Sequence, residues 1–228
     1  MTSTALTGSR NTPLAIALLT GGYLFGGFFV GMAFSLVVGS PNPGAFHMTR
    51  NVLAGVIAVA CMIAASTAWA RDLARRMGTA DLRHAGWAGA LSFGPVALAV
   101  GLTLTWLEQR IVERGAGPAP PIHIVYGMLF IPASFVVASV SAWILGVGLR
   151  LSASEQRRLT LATGLAAAGA YLVVYLVMEL AGWQVGAPGA AQRATMLVVT
   201  ALGCLAAALA GGAALGTVLF RPRTEASR

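Results

Sequence analysis

One carboxylate stands inside the apolar run VVYLVMELAGW: Glu179, about twenty residues into a stretch otherwise suited to lipid, with Tyr175 one turn behind it. Deep in hydrocarbon such a group is costly and marks a proton or ion path. At headgroup depth it is an ion-pairing or snorkelling residue, with Arg50, Arg114 and Arg193 as candidate partners. A negative group near a helix carboxyl end also opposes the helix dipole, which makes a basic partner useful. Depth decides between the two readings.

His47 in PGAFHM, His123 in PPIHIVYG, and Glu108 and Glu113 in WLEQRIVER fall toward the same end of the chain's apolar segments as Glu179. Imidazoles and carboxylates are metal ligands and acid–base groups. Gathered in one outer interfacial cleft, they would suit an intramembrane enzyme acting on lipid, quinone or isoprenoid. Scattered, they are boundary residues. No CxxC or HExxH occurs and no close ligand spacing demands a metal, so none is assigned.

A second set turns on helix breaking. In LSFGPVAL, Pro95 lacks an N–H and clashes with the preceding turn, while Gly94 and Ser92 loosen or rebond nearby backbone. In FIPASFV, Pro132 and Ser134 repeat the pattern. Freed carbonyls beside Ser92, Ser134, Thr103 and Thr105 are candidate ligands for an ion or polar solute at a broken-helix site. Proline kinks also serve packing alone.

Glycine supplies a third set. Gly22/Gly26 and Gly27/Gly31 in the first apolar segment, and Gly212/Gly216 in the last, have the small-xxx-small spacing that lets helix backbones approach in lipid. They predict tight packing within a bundle or between copies of the chain. Cys61 and Cys204 each fall within an apolar segment, where a small buried side chain is the plain expectation.

The elements that must position these residues follow from composition. Of 228 residues, 57% are hydrophobic and 10% charged, and the mean hydropathy is +0.78, outside the range of soluble domains. Six continuous apolar runs, about 13–39, 52–70, 87–106, 123–149, 159–183 and 194–220, are long enough as helices for a layer that takes roughly 20 residues. Unbroken runs, rather than short alternating segments, exclude a barrel. The expected fold is all-α: a single integral membrane domain over 1–228, a six-transmembrane-helix bundle. A loose likeness between the first and fourth runs raises an inverted repeat of three plus three helices.

Net charge is +8, and all 15 basic residues are arginine. The arginines cluster in short tracts between apolar runs, which speaks for anionic lipid and not for nucleic acid. Arg10, Arg71, Arg75, Arg76, Arg83, Arg150, Arg157, Arg158, Arg221, Arg223 and Arg228 fall on one side; Arg50, Arg110, Arg114 and Arg193 fall on the other. The positive-inside rule then places both termini in the cytoplasm, in what reads as a prokaryotic cytoplasmic membrane. The tract RDLARRMGTADLRHAG is expected to form a short amphipathic helix at that surface. Trp69, Trp87, Trp106 and Trp183 fall where rings meet headgroups, and Trp143 joins them only if the fourth helix starts late or tilts.

Several chemistries are excluded. Without lysine there is no Schiff base for retinal, no histidine is central enough for a b-type haem, and no P-loop is present. The cofactor, if there is one, is not legible. The leading expectation is a small polytopic transporter or permease-like subunit. The alternatives are an accessory or assembly subunit packed against other membrane chains, and the interfacial enzyme described above.

Overall fold

Pro13 opens the first helix, α1 (Pro13–Thr20), where its missing N–H costs nothing, and Thr12 caps it by accepting from the Ala15 amide at 3.2 Å. A π segment, Gly21–Phe25, follows before α-helix resumes to Gly31. The computed structural model describes residues 12–31, 45–113, 122–181 and 190–220; residues 45–51, 105, 108, 109, 111–113, 122–128 and 190–197 are described for their backbone alone. The other helices are α2 (Ala45–Arg76), α3 (Leu82–Leu91), α4 (Phe93–Glu113), α5 (Ile122–Gly148), α6 (Ala153–Leu180) and α7 (Ala190–Leu219).

Six membrane-length spans result among the described residues, α3 and α4 together making the third. The chain is a polytopic membrane protein built as an all-α six-helix bundle. Its outer faces carry large apolar side chains that no soluble protein would leave bare: Leu14, Val52, Trp87, Leu102, Leu165 and Val173 are all more than half exposed.

The spans form a ring. Each packs chiefly on its two neighbours in sequence, and α7 closes the circle against α1. Small residues set these contacts. A Cβ on Gly212 would stand 2.6 Å from Thr20 Cβ, and one on Gly216 would stand 3.0 Å from Pro13 Cα. Farther along the first span, a Cβ on Gly31 would lie 2.9 Å from the Ala58 carbonyl, and one on Gly27 would overlap the Ala65 methyl. Gly22 and Gly26 differ, with open space where a Cβ would go.

Three boundaries depart from expectation. α2 runs on through RDLARR to Arg76, and the third span starts at Leu82, so the tract expected to form a separate surface helix is two helix ends and a tight turn. The reason is packing: Leu73 is fully buried, and Met77 and Leu82 lie against the same core, so these side chains serve the bundle and not the headgroups. Gly78, at φ +70°, ends α2 in a Schellman motif, with Thr79 N–H donating to the Ala74 carbonyl. The fifth span also starts early, at Ala153, through a capping box between Ser152 and Glu155.

The turns at this end are tied together. Asp81 caps α3, accepting from the His84 amide at 3.1 Å, and its carboxylate meets His84 Nδ1 at 2.6 Å and Arg150 Nη2 at 2.8 Å. Arg150 itself holds φ +54°, the left-handed position of a second Schellman motif where glycine is the unstrained choice. Its guanidinium thus bridges two turns from a strained backbone.

Candidate functional site

The broken third span places its discontinuity at mid-depth. α3 is ten residues long, about 15 Å at 1.5 Å per residue, roughly half a 30 Å hydrocarbon layer. The break lies at Ser92 (φ −79°, ψ −100°), three residues before Pro95. Pro95 falls in the first turn of α4, where its absent N–H has no partner to lose. Ser92 is fully buried and donates to the Gly89 carbonyl at 2.8 Å, and Gly94 packs on Ile63 and Met62 of α2. Pro132 lies within an unbroken α5, and Ser134 donates to the Ile131 carbonyl at 2.7 Å.

At the arginine-rich end the ring is filled. Ile16, Leu73, Leu145 and Leu159, with Leu215, form a sealed core within one or two turns of that end. Above it the ring is hollow. A cavity of about 270 Å³ is walled by all six spans. Its sides are aromatic and aliphatic, with Phe25, Phe28, Phe93, Phe130 and Leu104 among them, and none of its described lining residues carries a charge.

The cavity floor is polar. Thr20, Trp69, Ser141 and Gly212 each sit seven residues from the arginine-rich end of their helices, about 10 Å in. Trp69 Nε1 donates to Thr20 Oγ1 at 3.1 Å across the α2–α1 boundary. Trp69 is 2% exposed, so the ring expected at the headgroups instead faces the interior, anchored by that bond. Gly211 and Gly212, adjacent on α7, bring Thr163 and Thr20 onto the same floor: Gly211 faces the Thr163 methyl, and Gly212 faces Thr20. Tyr171, stacked on Phe130 with centroids 6.1 Å apart, and Cys204 line the upper wall.

Of the residues singled out from sequence, Trp69, Ser134, Cys204 and Gly212 line this cavity; Ser92, Gly94, Pro95 and Pro132 do not. Glu179 and Tyr175 are hydrogen-bonding neighbours in the last turns of α6, and the Glu179 side chain is exposed, away from the cavity. Thr103 turns outward and donates to the Ala99 carbonyl at 2.9 Å. Glu108, Glu113, His47 and His123 lie on helix backbone whose side chains are outside the described residues, as does the Thr105 side chain. Among the described residues no three metal-ligating side chains cluster, and both cysteines are free.

Sequence reading missed Thr20, Ser141 and Thr163 and put Trp69 at the headgroups. Thr20, Trp69 and Ser141 share a hydroxyl or indole at matched depth in three different spans, a signal visible only once the ring order is known. No family model matches the chain, and neither the curated proteins nor the solved structures compared with it give a match that carries an argument.

Proposed function

We propose that the chain is a permease-like membrane carrier whose cargo occupies the cavity at the centre of the six spans. The observation that carries this reading is a cavity walled by every span, with a filled core between it and the arginine-rich end. A structural subunit that used its helices merely to pack on other chains would have no use for a hollow interior. Two irregular backbone points support the reading: the π segment Gly21–Phe25 and the break at Ser92. Both adjoin cavity walls, through Leu24, Phe25 and Phe93. Irregular segments of this kind are where membrane helices flex around a site. The arginine count adds an orientation: the sealed end faces the cytoplasm, against anionic lipid, and the cavity faces away from it.

The test is sided access. In a chain with Cys61→Ala and Cys204→Ala, Ser134→Cys and Ser141→Cys place single thiols high and low in the cavity. A membrane-impermeant maleimide is then added to proteoliposomes of either orientation. A carrier exposes both thiols from the side away from the arginines, and it exposes Ser141→Cys from the arginine-rich side as well, at a lower rate. Labelling from one side alone, at both positions, would mean a fixed cup and would overturn the proposal.

A further inference from the structure

The residues of the cavity floor are polar, but the surface they turn to the cavity is not. Thr20 Oγ1 and Trp69 Nε1 bond each other, and Ser134 donates back to the Ile131 carbonyl. The hydroxyl oxygens of Ser141 and Thr163 have under 1 Å² accessible in this conformation, so they lie behind the wall. What fronts the space is almost wholly apolar: the rings of Phe25, Phe28, Phe93 and Phe130, with aliphatic side chains between them.

Such a wall selects by exclusion. Water needs roughly two to four polar partners to stay in a cavity, and an apolar cavity stays dry. None of the described lining residues is charged, so a carboxylate or ammonium would lose its hydration without gaining a counter-charge. An uncharged apolar molecule loses no hydrogen bonds on entering and gains the contacts of the wall. Rings gain more than chains, because the aromatic faces of spans one, three and four reward offset or edge-on contact beyond the area buried. Size narrows the class further. The cavity's volume of about 270 Å³ is nearly twice the ~150 Å³ in which an engineered apolar cavity takes up benzene, which leaves room for about two fused rings.

We infer that the cavity binds an uncharged, apolar, ring-bearing molecule of about the size of two fused rings, held among the faces of Phe25, Phe28, Phe93 and Phe130. The inference deepens the carrier reading by naming the class of its cargo, and it rests on that reading for what becomes of the bound molecule.

Thermal unfolding of the full chain in detergent tests it, with naphthalene, naphthoate and decane as probes at neutral pH. Wild type is compared with Ala208→Phe, which adds a ring at the cavity wall of α7, in the same micelles so that partitioning into detergent cancels. Naphthalene should raise the wild-type midpoint, and its apparent affinity should fall at least about tenfold in the variant, whose added ring competes for the same space. Naphthoate and decane should not distinguish the two proteins. Ala138→Phe repeats the comparison from the wall of α5 if Ala208→Phe does not fold. An equal naphthalene response in wild type and a folded variant would overturn the inference, as would a naphthoate response that the variant abolishes. A decane response that the variant abolishes as fully as that of naphthalene would assign the space to a lipid tail and overturn it too. Two-sided thiol labelling without naphthalene selectivity would remove this cargo and leave the carrier. Naphthalene selectivity with one-sided labelling would do the reverse.

Discussion

The two halves of the bundle use the same six helices to opposite ends. Near the arginine-rich turns, Ile16, Leu73, Leu145 and Leu159 meet in a core with no exposed surface. Beyond the level of Thr20 and Trp69 the helices keep their ring order, but Phe25, Phe28, Phe93 and Phe130 line a space instead of filling it. Helix composition does not separate the halves, since both are apolar. What separates them is which residues meet on the axis: branched aliphatics at one end, and alanines, glycines and hydroxyls backed by aromatic walls at the other. Stability therefore resides mostly in the sealed half, leaving the hollow half free to change shape.

Breaking the sealed half should have the largest effect. Leu145→Ala removes a fully buried side chain and should cost about 2–5 kcal/mol in unfolding free energy, read as a lowered denaturation midpoint in detergent. Leu104→Ala, at the cavity wall, opens no new void and should cost less than half as much. Equal costs would mean that the halves are equally packed.

The wall of the hollow half offers a sharper cut. Gly27 meets Ala65 and Met62 of α2 at backbone range, so Gly27→Val should force the first two spans apart and cost about 1–3 kcal/mol. Gly22, one turn and a half away with open space at its Cβ position, is the control: Gly22→Ala should stabilise by about 0.5–1 kcal/mol through backbone entropy. The same unfolding assay reads both.

The smallest effect is a pH step at the turns that clamp the sealed end. Asp81's carboxyl is held below its ordinary 3.8, first by the hydrogen bond to the His84 side chain, then by the His84 amide and the nearby Arg150 charge. A lowered folded-state pKa means that this stabilisation is complete above 3.8 and is lost as pH falls through the lower folded value. Asp81→Asn should flatten that acid limb of the midpoint-versus-pH curve without altering ligand binding in the cavity. An unchanged limb would remove Asp81 from the clamp.

Much of this was legible in one dimension. The span count needs only run length and hydropathy, because a helix satisfies its own backbone and lipid demands little more. The stop at Gly78 and the capping box at Ser152 are local chemistry, yet the reading carried a surface helix through Gly78 and started the fifth span at 159. The break at Ser92 was visible within three residues, since Pro95 must sit where a helix either ends or begins. The site was not legible in the same way. Glu179 drew attention as the lone charge in an apolar run, yet its exposed place at a helix end keeps it off the cavity, whose polar groups are neutral hydroxyls of a kind found throughout the spans. Trp69 misled for a related reason: seven residues from a helix end suits a headgroup ring or an interior one, and only helix rotation separates them.

What the amino-acid sequence determined by itself is the solvent: an all-helical chain crossing lipid six times, with its arginines gathered at one end, because hydropathy and charge act residue by residue. What the tertiary structure decided is the inside. Rotation of each helix about its axis, with close glycine contacts between spans distant in sequence, set Trp69 against Thr20 beside the cavity and not at the headgroups. Hydrophobic periodicity cannot specify that rotation when both faces of a helix are apolar.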